Sequence, residues 1–115
     1  MTRYSVVLVP FPFDDLSSTK VRPAVCLTDP IGPHRHLVLA FITSRIPDKP
    51  LASDLVIDTR HGDFRQTGLR VSSTLQLHRL MAVTTSVLKR RLGTLPAGLR
   101  SQVEVRLREL FRLEK

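Results

Sequence analysis

Apolar residues in the first two-thirds of the chain come in short, β-branched runs separated by turn residues. Ser5 to Val9 (Ser-Val-Val-Leu-Val) predicts a core strand. The Pro10-Phe-Pro-Phe13 that follows predicts its end, because proline brings no donor to a sheet ladder. Asp14 to Lys20 is polar and reads as a loop. Arg22 to Thr28 predicts a second strand, with Pro23 near its start. Asp29 to Arg35 carries Pro30, Gly32 and Pro33 and predicts a turn, so His36 to Ile42 reads as a third strand returning beside the second. Thr43 to Ser53, marked by Pro47 and Pro50, is a loop, and Asp54 to Asp58 alternates as a short strand. After a polar, basic stretch from Thr59 to Thr67, Leu69 to Leu77 predicts another strand, which Leu80 to Val83 continues or follows.

The period changes near the end. Thr84 to Leu92 predicts a short helix, with Thr84 or Thr85 as its N-cap and Gly93 as its stop. Pro96 suits the first turn of a longer helix. Leu99, Val103, Leu107, Leu110 and Phe111 fall at helical spacing and make one apolar stripe. Arg108, Arg112 and Lys115 sit in the last turns, where cations favour the helix dipole. Strands first and helix last predict a single α+β domain over residues 1–115, mainly β.

Composition narrows the compartment and the partner. The 115 residues are 42% hydrophobic and 24% charged, which fits an ordered globule. A single cysteine, Cys26, rules out an internal disulfide and a zinc site built on thiolates. The longest apolar runs, Val6–Phe13 and Leu37–Ile42, are too short for a bilayer, and no signal-peptide pattern opens the chain. A reducing cytoplasm is the expected setting. The net charge is +8, and 14 of the 18 cations are arginine, whose fork grips phosphate in two places. A polyanion partner is expected, nucleic acid first. Aromatic content of 5% offers no obvious stacking platform for bases.

The common mechanistic motifs are absent: no Gly-rich phosphate loop, no HExxH, no GxSxG and no CxxC. His34 and His36, with His61 or Asp63, have a spacing that chance produces easily, and no metal is expected there. Asp14 and Asp15 read as a solvated pair, Cys26 as a small buried hydrophobe, and Lys89-Arg90-Arg91 as a solvated face of the short helix. Arg22 is more informative. It opens an apolar strand, and Pro23 fixes the backbone beside it. If the second and third strands form a hairpin closed at Asp29–Arg35, Arg22 meets Thr43 at its open end, next to the Asp14–Lys20 loop. An arginine with a hydroxyl can grip a phosphate and stabilise its pentacoordinate state, and RNA supplies its own nucleophile as the 2′-hydroxyl. The plain alternative is that Arg22 caps the sheet and Thr43 bonds a turn amide.

Val6-Val-Leu-Val-Pro-Phe-Pro-Phe-Asp14 followed by Lys20-Val-Arg-Pro-Ala-Val25 resembles the opening of the MazF/PemK family of toxin ribonucleases. Phe41-Ile-Thr-Ser44 resembles the family's second signature. Gly68-Leu69 followed by Ser73, then Leu92-Gly93-Thr94-Leu95 and a C-terminal helix, keep the family order over nearly the whole chain. The resemblance implies a small SH3-like barrel and a homodimer. It implies a sequence-selective endoribonuclease that cuts single-stranded RNA without a metal or other cofactor, and a cognate antitoxin protein that blocks the RNA groove. The family's catalytic arginine falls on Arg22 and its catalytic threonine on Thr43, with Ser44 beside it. The mobile loop that borders the family's site falls on Asp14, Ser17, Ser18 and Lys20, and Ser73 and Gln76 fall at RNA-facing positions. Tyr4 and Ser5 replace a glycine and an acid common at the start of the first strand. Leu75 and Ser73 replace an acid and an arginine that some members carry, so a mechanism using that acid as general base does not transfer. Two other readings stay open from the residues alone: a non-catalytic nucleic-acid-binding module, and a protein-targeting toxin of the gyrase-inhibitor kind on the same fold.

Overall fold

A computed structural model describes residues 1–11 and 20–113 of the protein. The six strands are β1 (Ser5–Phe11), β2 (Lys20–Cys26), β3 (His36–Thr43), β4 (Asp54–Ile57), β5 (Ser73–Thr84) and β6 (Arg90–Thr94). They form one antiparallel sheet in the order β4-β5-β3-β2-β1-β6, and the helix α1 (Ala97–Phe111) follows the last strand. This is the mainly β, SH3-like half-barrel with a C-terminal helix that the sequence led us to expect.

Alternation along the strands divides the apolar residues between two faces. On one face Val6, Val25, Ala40, Ile42, Leu55, Ile57, Leu75 and Leu77 bury against Leu95, Leu99 and Val103, and Leu107 of the helix packs at their edge. On the other face Val7, Val9, Ala24, Cys26, Leu37, Leu39, Phe41 and Val83 form a second cluster. The helix stripe is shorter than its spacing suggested. Leu110 and Phe111 are exposed, and the buried part of the stripe is Leu99 and Val103. Arg112 closes the helix in the left-handed region at φ 53°, and the Leu113 amide returns to the Arg108 carbonyl at 2.8 Å. Lys115 lies outside the described residues.

Three elements depart from the sequence reading, each for a tertiary reason. The stretch expected as a helix from Thr84 to Leu92 is a short 3₁₀ turn, Thr85–Val87, followed by β6. Its lysine and arginines suit a helix, but the unpaired edge of β1 takes them as a strand, with Val7 facing Arg91 and Leu8 facing Arg90. Lys89-Arg90-Arg91 therefore lies at the sheet edge, and Gly93 is a strand residue, not a helix stop. Pro10 lies inside β1, because β6 pairs only as far as Leu8 and leaves Pro10's missing donor on an unpaired side. The two expected segments join in one strand, β5, which begins at Ser73 and not at Leu69, and a bulge shifts its register on β3, where Phe41 faces Gln76 while Ala40 faces Leu80.

Two local features hold the ends. Tyr4 adopts φ 69°, a conformation costing a non-glycine residue on the order of 1 kcal/mol. Its ring lies between the Arg3 and Arg100 guanidinium groups, 4.7 and 5.0 Å from their carbons, and its hydroxyl donates to Glu104 Oε2 at 3.1 Å. A 3₁₀ turn, Phe64–Thr67, lies flush against β6. A Cβ on Gly93 would run into the carbonyls of Gln66 and Thr67, and one on Gly68 into the carbonyl of Leu92.

Candidate functional site

The β2–β3 ladder carries Ala24 opposite Phe41, Val25 opposite Ala40 and Cys26 opposite Leu39. Arg22 and Thr43 lie two residues beyond the last of these pairs on their strands, at the open end of the hairpin. Both residues line one cavity of about 760 Å³. Its wall continues through Ser44, the loop from Arg45 to Lys49, Leu51, Asp54, Gln76, His78 and Arg79. The side chains belong to the face opposite α1, where positions 22, 24 and 26, 39, 41 and 43, and 74 and 76 alternate away from the helix-side core.

Charge in this cavity is mixed but net positive: Arg22, Arg45, Lys49 and Arg79 stand against Asp48 and Asp54. The Thr43 hydroxyl oxygen accepts the Arg45 amide at 3.2 Å, which leaves its proton for a further bond. Thr74, opposite Thr43, donates its hydroxyl to the Arg45 carbonyl at 2.9 Å, so residue 45 is tied at both backbone groups. The turn-amide contact that the plainer reading gave to Thr43 is thus present, and it is compatible with the hydroxyl facing the cavity. His78 Nδ1 lies 3.2 Å from the Ser53 hydroxyl at the rim.

The structure gathers Arg22, Thr43, Ser44 and Gln76 and leaves two other sequence candidates elsewhere. Ser73 is a correction: it points to the helix side, is buried, and donates its hydroxyl to the Val71 carbonyl at 2.9 Å. One strand step separates it from the cavity-side row of Thr74 and Gln76. Lys20 is exposed at the start of β2, opposite Phe11, and is not a described lining residue. Asp14, Ser17 and Ser18 lie outside the described residues. Cys26 is buried, and desolvation pushes its thiol up to about 11, which removes it as a nucleophile at neutral pH. Among the described residues no three His, Cys, Asp or Glu side chains gather as a metal site; His34 and His36 stack edge to face 6.2 Å apart, and His61 Nδ1 accepts the Asp63 amide.

Sequence reasoning missed Arg45, Lys49, Asp54, His78 and Arg79. The available signal was the break in alternation after Leu77, where two polar residues in succession mark the bulge. Asp54 gave none, since its burial depends on three separate neighbours.

Three comparisons bear on identity. The chain is similar in fold to the Mycobacterium tuberculosis toxin MazF-mt6, with 20% identity over 96% of this chain and 99% of that one and a TM-score of 0.74. It is similar to a mycobacterial endoribonuclease solved in complex with its cognate antitoxin, with 10% identity, 100% and 98% coverage and a TM-score of 0.72. A MazE–MazF structure from Deinococcus radiodurans matches with 16% identity, 99% and 98% coverage and a TM-score of 0.69. At these identities the likeness shows the fold. None of the curated proteins matches the chain. The family described as "PemK-like, MazF-like toxin of type II toxin-antitoxin system" matches residues 2–111. With the strand order, the hairpin-mouth arginine and that match, the chain belongs to the PemK-like, MazF-like toxins of type II toxin–antitoxin systems.

Proposed function

We propose that the protein is an endoribonuclease that cuts single-stranded RNA at selected sequences without a metal, and that the cavity at the hairpin mouth is its active site. The observation that carries this reading is the placement of Arg22 and Thr43 on neighbouring strands of one net-positive cavity. Arg22 grips the scissile phosphate and stabilises the charge that grows on it. Thr43, held by the Arg45 amide, donates its hydroxyl proton to a phosphate oxygen, and Ser44 supports it at the rim. The neighbouring 2′-oxygen bonds to phosphorus as the bond to the 5′-oxygen breaks. The 2′-proton is released and the 5′-oxygen takes one up, leaving a 2′,3′-cyclic phosphate. Arg45, Lys49 and Arg79 hold the flanking strand, and Gln76 meets a base.

The partners follow from the same charge. An acidic antitoxin segment would occupy this cavity and exclude RNA, as the family and the antitoxin-bound relative suggest. We also infer a homodimer acting in the cytoplasm. No helix among the described residues is long and apolar enough to cross a membrane.

The test is cleavage of a long single-stranded RNA in EDTA by wild type, Arg22→Ala and Thr43→Val. Discrete cuts by wild type, falling at least 100-fold in Arg22→Ala and at least tenfold in Thr43→Val, are expected. RNA binding without cleavage by folded wild type would instead favour the non-catalytic module.

A further inference from the structure

Asp54 is the one acid in the cavity wall that the fold buries. The residue is only 7% exposed, yet it lines the opening that holds Arg22 and Thr43. It is fixed at three points. Its amide donates to the Leu51 carbonyl at 2.9 Å, its Oδ2 accepts the Leu51 amide at 2.9 Å, and its carbonyl accepts from Arg106 Nε at 3.0 Å. Its other carboxylate oxygen, Oδ1, is buried and has no hydrogen-bond partner among the described residues. Leaving a buried acceptor unpaired is costly, and since Asp54 belongs to the cavity wall, a donor brought there by a ligand would relieve that cost once the side chain turns toward it.

The register says which donor. Asp54 faces Gln76 across β4 and β5, and Gln76 faces Phe41 on β3, so Asp54 and Gln76 are side by side on the cavity face. Thr43 is two strands away and one row further on; Arg22 is a third strand away. With strands about 4.8 Å apart and rows about 7 Å apart, Asp54 and Thr43 are about 12 Å apart along the backbone, and Asp54 and Arg22 about 16 Å. A group that moves a proton at the scissile phosphate must lie within hydrogen-bond reach of it, about 3 Å. Asp54 is a nucleotide's width too far, where the base beside the cut would sit.

Resting on the ribonuclease reading above, we propose that Asp54, with Gln76, is the base-reading pair of this site and selects a base bearing an exocyclic amine. The amine of adenine, cytosine or guanine donates to Oδ1, and the Gln76 amide completes the edge with its own donor and acceptor. Uracil is disfavoured, since its single N–H is flanked by two carbonyl oxygens that face the carboxylate and repel it. Two hydrogen bonds on the Asp54 backbone and one on Oδ2 hold the residue at the cavity wall before RNA arrives.

The experiment is selection from a randomised single-stranded RNA pool with methylated 2′-hydroxyls, which reads binding without cleavage and removes the ribose donor. Wild type, Asp54→Asn and Asp54→Ser are compared after thermal melts. The serine variant keeps a side-chain oxygen for the Leu51 amide and lacks a second one, so it serves if the asparagine variant does not fold. Wild type is expected to exclude uracil at one position by about tenfold or more, a preference both variants lose while other positions are unchanged. Wild-type preferences retained in both variants would overturn the assignment and leave the ribonuclease reading standing. Loss of uracil discrimination at every position would overturn it as well. Absence of any RNA retention by wild type would overturn both.

Discussion

Leu75 and Gln76 are neighbours in the chain and serve opposite faces of the sheet. Leu75 is wholly buried on the helix side, in register with Ile42 and Leu55, while Gln76 is in register with Phe41 and Asp54 on the cavity side. An acid at position 75 would face the core, so the leucine there takes nothing from the chemistry of this cavity.

Leu75→Glu is therefore expected to destabilise the fold without raising RNA cleavage. Burying a carboxylate among Ile42, Leu55 and Leu99 without a partner costs about 3 kcal/mol or more. Urea melts read the loss, and a cleavage assay on the folded fraction reads the rate.

Salt should weaken RNA binding in proportion to the cations that touch phosphate. If Arg22, Arg45, Lys49 and Arg79 all do so, the log–log slope of affinity against salt is about −3 for a single strand. Arg45→Ala should flatten that slope by about 0.7 and leave the sequence preference unchanged. Titrations at several salt concentrations measure both.

The buried thiol of Cys26 makes stability depend on alkaline pH. Burial raises its pKa from an ordinary value near 9 to about 11, so the folded state keeps a proton that the unfolded chain releases. That contribution is constant below about pH 9 and is lost as pH rises toward about 11. Burial shifts the Tyr4 hydroxyl upward too, adding in the same direction. Denaturant melts across this window should show a steeper loss in wild type than in Cys26→Ala, and the native thiol should resist maleimide at neutral pH.

Gly93→Ala should cost about 1–3 kcal/mol, because its Cβ meets backbone carbonyls of the Phe64–Thr67 turn, which cannot rotate away as a side chain does. Gly62→Ala, where nothing lies within 4 Å, is the control and should be near neutral by thermal melting.

What the sequence made legible was local or one step from local. The runs at Ser5–Val9, Arg22–Thr28 and His36–Ile42 and the turn at Pro30-Ile-Gly-Pro33 suffice to set a hairpin, and the hairpin brings Arg22 to Thr43. The region after Thr84 was not legible, because its residues prefer a helix and only the open edge of β1 makes them a strand. Asp54 was hidden for a related reason. A lone aspartate heading a short strand looks solvated, and only Leu51, Arg106 and the cavity wall enclose it. The bulge at Leu77–Arg79 left a trace, two polar residues in a row, without saying which way they would face.

The alternation along β5 separates two kinds of mutational history. Odd positions from 73 to 77 are buried on the helix side, whereas Gln76 lines the opening. Drift at one set leaves the other intact, so the residues that line the cavity can change while the scaffold persists. Structural relatives that share only 10–20% of their residues with this chain yet superpose over nearly its full length fit that pattern.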